Sequence, residues 1–197
     1  MCGYEQTSIQ DVLDALTISK GAFYHYFDSK QALLLALVDR RSDMLEQSLV
    51  PLVEDQDLSA IDKVVKFFVV QDEFKRQRRQ FVLEVAHTWH SDGNAVFRRR
   101  LSAEGRRRLD PLLVQVIAQG VAEKSFAVED PEQVARIIMS MIDGLAEAVA
   151  ESLDGTGTAS GSSTRAALVA TTDAIERVLG TTQGVLQEPW LDALSRW

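Results

Sequence analysis

Residues 7–41 read TSIQDVLDALTISKGAFYHYFDSKQALLLALVDRR, and this stretch decides the fold. Thr7 with Gln10 has the spacing in which a hydroxyl and an amide side chain satisfy free N–H groups at a helix start. Ile9, Val12, Leu13 and Leu16 follow at helical spacing on one face. Only Thr17 and Ile18 separate them from Ser19, a second N-cap, which opens a helix over Lys20 to Phe27. Asp28, with Gln31 three residues on, offers a third cap. Two short helices joined by a tight turn make a helix-turn-helix, and the second has the size of the DNA major groove. The third helix is expected from Ser29 to about Leu49, ending before Pro51, because the residue preceding a proline is pushed away from helical conformation.

The run Ile18-Ser19-Lys20-Gly21-Ala22-Phe23-Tyr24-His25-Tyr26-Phe27, followed by Ser29-Lys30, closely resembles the DNA-binding signature of the TetR/AcrR family of bacterial transcriptional regulators. The resemblance implies an all-α fold. A helix-turn-helix head and connector helix would take residues 1–49, and a helical effector-binding and dimerisation domain residues 58–197. It implies that Lys20, Gly21 and Ala22 approach base edges, where a lysine can donate to guanine O6 and N7. Tyr24, His25 and Tyr26 match positions on phosphates or sugars, Lys30 matches a phosphate-binding lysine, and Gln10 is a further candidate for a DNA contact. Phe23 and Phe27 belong to the core. In the family a further helix precedes the segment written here GYEQTS. With the chain starting Met1-Cys2-Gly3-Tyr4, the head is expected to be incomplete and to leave Ile9, Leu13, Leu16 and Phe23 short of apolar cover. Thr17 stands where the family often has glycine, and a β-branched residue is strained there if the turn needs a positive φ.

The bulk properties fit that outline without requiring it. The chain has 197 residues, 46% hydrophobic and 25% charged, with only four prolines, a composition that favours helix nearly throughout. No apolar run reaches the ~20 residues of a membrane span, and the first residues lack a signal-peptide pattern. The single cysteine, Cys2, forms no internal disulfide, so a cytoplasmic location is expected. The net charge of −8 is unlike that of many DNA binders, but its distribution matters more than its sum. Residues 1–41 carry Lys20, Lys30, Arg40 and Arg41 against Glu5, Asp11, Asp14, Asp28 and Asp39, leaving the head near neutral. Residues 75–108 hold ten Lys or Arg against three acids, a local +7.

Beyond the acidic link at 50–57, the best candidate boundary, the chain reads as a series of helices. Leu58 to about Ser91 is periodic through Val64, Phe68, Phe81, Val85 and Trp89. A turn at 91–94 precedes a basic helix from Asn94 to Leu109. Asp110-Pro111 then looks like a cap with proline in the first turn, opening a helix to about Glu123. Asp130-Pro131-Glu132-Gln133 starts a helix to about Leu153, with Val134, Ile137, Ile138, Met141, Ile142, Leu145, Ala146 and Val149 on its buried side. After the loop at 154–163 comes a helix from Thr164 to Leu179, ending at Gly180. A short last helix near Pro189 and Trp190 is expected.

Candidates for an effector pocket are Phe68, Phe81, His87, Trp89, His90 and Met141. Glu84, His87 and His90 share a helix face, but zinc helices more usually space histidines four apart and no partner ligand can be placed, so no metal site is assigned. The clusters Arg98–Arg100 and Arg106–Arg108 read most simply as a solvated face, with a head–body junction or an anionic effector as the minor reading. No nucleophile–base pair, paired carboxylates, phosphate loop or dinucleotide motif is present, so neither catalysis nor a cofactor is expected. The resemblance implies a homodimer through 131–153 and 164–179, where Ala146, Ala150, Ala166, Ala167, Ala170 and Ala174 would allow close helix approach. The partners are then a palindromic double-stranded DNA operator and a small-molecule effector, and the function that of a repressor. The alternative is a dimeric small-molecule-binding or interaction module with a defective head.

Overall fold

The structure is a computed structural model that describes residues 7–76, 95–153, 161–187, 189 and 190. Its helices are α1 (Ile9–Leu16), α2 (Lys20–Tyr26), α3 (Lys30–Glu54), α4 (Ala60–Arg76), α5 (Ala95–Ala122), α6 (Pro131–Leu153) and α7 (Gly161–Leu179). No strand occurs among the described residues, so the fold is all-α with a helix-turn-helix at its start. The chain divides into two compact units. The division falls between Met44 and Leu45 inside α3 and between Gly105 and Arg106 inside α5.

Helix starts follow the capping rules, with two shifts of one residue. Ser8, not Thr7, caps α1: its Oγ accepts from the Asp11 N–H at 3.1 Å, and the Asp11 carboxylate accepts from the Ser8 N–H at 2.7 Å. The Ser8 hydroxyl also donates to Asp11 Oδ2 at 2.7 Å, and this bond first, then the one from the Ser8 N–H, hold the Asp11 carboxyl below the usual range. Ser29, not Asp28, caps α3, accepting from the Ala32 N–H at 3.0 Å. In both pairs the neighbours are good cap types, and backbone geometry alone selects one. Ser19 caps α2 by accepting from the Ala22 N–H at 3.1 Å. Asp130 caps α6 by accepting from the Gln133 N–H, also at 3.1 Å.

Both expected proline breaks are absent. Pro51 lies within α3 and Pro111 within α5, so the expected boundaries at Leu49 and at Asp110-Pro111 are overturned. The explanation is the face on which each ring sits. Pro51 and Gln47 are both exposed, as are Pro111 and Arg107. Each ring and the residue four positions before it therefore stand on the solvent side of the helix, where the cost of the missing N–H is least.

The two units differ in what fills them. In the head Leu13, Phe23 and Leu34 are buried, whereas Leu16 is 62% exposed. The body packs Leu49, Val64, Phe67, Leu113, Ile117 and Ile138 at its centre, each 1% exposed or less. A Cβ at Gly120 would run into the Phe126 ring, so the end of α5 packs directly on the loop that follows. Lys63 anchors a polar network inside the body. Lys63, 1% exposed, donates to the Val53 carbonyl at 2.6 Å and to Gln119 Oε1 at 2.7 Å. Gln119 in turn donates to the Leu58 carbonyl at 2.9 Å and to Glu123, which accepts the Ala60 N–H at 2.9 Å. The Ala60 N–H, then Gln119, hold the Glu123 carboxyl below its ordinary range.

Candidate nucleic-acid interface

The turn between α1 and α2 is built on one strained residue. Thr17 adopts φ 54°, ψ 43°, the left-handed region, and its N–H bonds back to Asp14 while the Ile18 N–H reaches the Leu13 carbonyl at 3.1 Å. That is the two-bond closure in which glycine is the usual occupant, and a β-branched residue costs about 1–2 kcal/mol there. The bonds hold the chain in a tight reversal, and Ser19 then starts α2 at once. The turn does take a positive φ at Thr17, so the strain conditional on it applies.

Helix α2 is one-sided. Phe23 is its only buried residue, 2% exposed, with its ring 5.4 Å from Tyr24 and 5.7 Å from the partly buried Phe27. Lys20, Gly21, Ala22, Tyr24, His25 and Tyr26 are all exposed, and Tyr26 is 76% exposed. Lys20 Nζ lies 6.0 Å from the Tyr24 ring centroid, within the range of a weak cation–π attraction. His25 and Tyr26 meet edge-on at 4.9 Å. Gly21 adopts no positive φ, and a Cβ there would meet only Ser19 Oγ at 3.9 Å. The fold therefore does not demand glycine at this position.

Two of the named polar residues have partners inside the head. Gln10 donates from its amide to Asp14 Oδ1 at 2.8 Å, and Lys30 donates from Nζ to the Thr7 carbonyl at 3.1 Å. Lys30 is partly buried. Asp14, the clasp on Gln10, is the residue that sequence reasoning left out. Its position one turn after Gln10 was the available signal.

Of the effector candidates, Phe68 and Met141 lie among the described residues. Phe68 is buried in the body core, its ring 4.7 Å from Trp190 and 5.4 Å from Phe67. Met141 lines an open depression of about 430 Å³ together with Arg106, Gln133, Arg136, Ile137 and Ser140. Phe81, His87, Trp89 and His90 lie outside the described residues, as does Glu84. Ile137, expected on the buried side of α6, is 46% exposed. Ile138 is fully buried as expected, Val134, Met141, Ile142 and Leu145 pack half-buried against the core, and Ala135 and Met139 are buried beside them.

The cluster Arg106–Arg108 is not a bare solvated face. Arg106 pairs with Asp143 on α6 at 2.9 Å, and Arg108, only 11% exposed, pairs with Glu46 on α3 at 3.1 Å. The side chains of Arg98–Arg100 lie outside the described set. Beside Arg106, Asp110 has a buried Oδ1 with no hydrogen-bond partner among the described residues. Burial pushes its carboxyl up, Arg106 and Arg136 oppose that, and Asp143 adds to it. Among the described residues no group of His, Cys, Asp or Glu could hold a metal. No described helix is long and apolar enough to cross a membrane.

Known proteins match both parts of the chain. Residues 2–37 fit the family profile "Bacterial regulatory proteins, tetR family", and residues 60–180 fit "BetI-type transcriptional repressor, C-terminal". An uncharacterized HTH-type transcriptional regulator in the lacX 3' region of Lactococcus lactis subsp. lactis is 39% identical over 59 residues, 30% of this chain and 30% of its own. The uncharacterized HTH-type transcriptional regulator YuxN of Bacillus subtilis (strain 168) is 54% identical over 37 residues, 19% of this chain and 13% of its own. The matched stretch thus spans less than a third of either curated relative. The crystal structure of E. coli NemR in its reduced form superposes with a TM-score of 0.59 over 91% of this chain and 90% of that one, at 18% identity, a likeness of fold alone. With the second profile covering residues 60–180, most of the chain, the protein belongs to the tetR family of bacterial regulatory proteins and carries a BetI-type C-terminal domain.

Proposed function

We propose that this transcriptional regulator is a ligand-responsive repressor that binds palindromic operator DNA as a homodimer. The observation that carries the reading is the one-sidedness of α2. One buried phenylalanine anchors it, and Lys20, Gly21, Ala22, Tyr24, His25 and Tyr26 stand exposed. Lys20, Gly21 and Ala22 face base edges, the two tyrosines and His25 reach sugars and phosphates, and Lys30 and Gln10 flank the helix. For Lys30 and Gln10 this requires the bonds to Thr7 and Asp14 to be shared or exchanged on docking. Phosphate contacts fix position, and base contacts fix sequence.

Residues 1–49 then act as the head and its connector, and 58–197 as the effector-binding and dimerisation domain, in the cytoplasm. Exposed Arg136, Ile137 and Ser140 on α6 supply part of a self-complementary face, with α7 completing a two-fold four-helix contact. An effector bound in the body shifts the spacing of two recognition helices through α3. It does so only as far as it binds one state better than the other.

The test is binding of the full chain to the DNA upstream of its own coding region at low salt, against a scrambled duplex. A sequence preference lost in Lys20→Ala is expected. Lys30→Ala should weaken binding to both duplexes and lower the salt slope by about one. A dimer that binds both duplexes equally would sink the repressor reading and leave the small-molecule or interaction module.

A further inference from the structure

Gln10 and Asp14 stand one turn apart on α1, and both are exposed. Gln10 Nε2 donates to Asp14 Oδ1 at 2.8 Å, the one polar contact of the Asp14 carboxylate among the described residues. The other acid of α1, Asp11, is already engaged by Ser8.

Asp14 is poorly placed for the helix itself. α1 ends at Leu16 with no basic residue in its last turn, so the carboxylate stands near the negative end of the helix dipole. The bond to Gln10 offsets that by a similarly small amount, and alanine is the better helix former. The stability of α1 is therefore no reason for an aspartate here. What the carboxylate does fix is the amide. A carboxylate only accepts, so the group turned toward it is the NH2, and the amide cannot flip. One amide hydrogen is taken, while Oε1 and the second hydrogen stay available.

We propose that Gln10 reads an adenine and that Asp14 is its positioning residue, taking the amide hydrogen remote from Oε1. Oε1 and the remaining hydrogen then meet one base together. Adenine matches that pair in the major groove, with N7 as acceptor and N6–H2 as donor, whereas guanine sets its O6 acceptor against Oε1. Gln10 reaches DNA only in the docking proposed above, on which both roles rest. On docking the Asp14 bond is shared rather than exchanged. The carboxylate also brings a negative charge toward the phosphates, so it weakens binding to every sequence while sharpening the choice among them.

The test uses full-length chains selecting from a pool of duplexes with a randomised central stretch. The unaltered chain should select half-sites with a fixed adenine, whose replacement weakens binding by about tenfold. Asp14→Ala should cut that preference to about twofold at that position alone, while binding unselected duplex more tightly at low salt. Gln10→Ala should relax the same adenine, and adding Asp14→Ala to it should relax it no further. Asp14→Glu, which keeps an acceptor-only group, should retain most of the preference. Amide exchange across α1 should be unchanged or slower in Asp14→Ala. A merely structural Asp14 predicts the opposite: faster exchange, and weaker binding to all sequences with their ranking unchanged. That result overturns the proposal, as does a selected site in which Gln10→Ala relaxes no adenine, or a loss in Asp14→Glu as complete as in Asp14→Ala. An unaltered chain that selects no sequence removes the regulator reading and both roles with it. A selected sequence that depends on Lys20 but not on Gln10 or Asp14 removes these roles alone.

Discussion

The head and the body are held together by different means. Among the described residues the head buries three apolar side chains, Leu13, Phe23 and Leu34, and its short helices depend on caps at Ser8, Ser19 and Ser29. The body has a continuous core running from Leu49 to Trp190, with its buried polar residues Lys63, Gln71, Thr172 and Glu176 hydrogen-bonded. Burial contributes about 1.5–3 kcal/mol for each large apolar side chain, and a cap about 1 kcal/mol. A recognition head is therefore the part in which single hydrogen bonds weigh most. The body tolerates losing one but not a hole at its centre.

That contrast breaks most readily in the body. Phe67→Ala, at a fully buried position, should lower stability by about 3–5 kcal/mol in urea unfolding. A loss below about 1 kcal/mol would mean that the core does not carry the fold. In the head, Ser19→Ala should cost about 1 kcal/mol, seen as faster amide exchange at Ala22 with the body's protection unchanged. Thr17→Gly should act in the opposite sense. It relieves the left-handed strain, and the gain is less than about 1 kcal/mol because glycine also loses more entropy on folding. It should show as a rise in the head's midpoint alone.

The smallest effect concerns Asp110. Its carboxyl is raised in the fold, chiefly by burial, so the native state binds its proton more tightly than the unfolded chain does. Ionised Asp110 therefore opposes folding at neutral pH, and that penalty is lost as the pH falls through its raised value. Asp110→Asn should be the more stable chain at pH 7, with the difference closing in acid. Urea midpoints across that range measure it.

Much of this was legible in the residues. Helix starts at Ser19 and Asp130 carry their own chemistry, and the recognition helix follows from the run Lys20 to Phe27. Thr17 announced a turn problem, because its type conflicts with the conformation the turn requires. The shifts from Thr7 to Ser8 and from Asp28 to Ser29 lay beyond sequence reading, since adjacent cap types compete and three-dimensional geometry decides. Pro51 and Pro111 misled because a proline rule counts the lost bond but not the face it lies on. The pairings of Arg108 with Glu46 and of Arg106 with Asp143 are contacts between helices. No local pattern encodes them. Lys63 is the clearest such case, a lysine on a helix face that periodicity alone would leave in solvent.

That lysine has a consequence for how the chain is cut. Glu54, Asp55, Gln56 and Asp57 are exposed and look like a protease's natural target between two helices. Yet the carbonyls of Val53 and Leu58 and the N–H of Ala60 are all bound by the Lys63, Gln119 and Glu123 side chains. A protease must draw several residues of chain into an extended form, and here that means first dismantling a network anchored on the buried Lys63. The corner between α3 and α4 should therefore be accessible yet slow to cleave, and lysine-directed reagents should label Lys63 as slowly as the core around it opens.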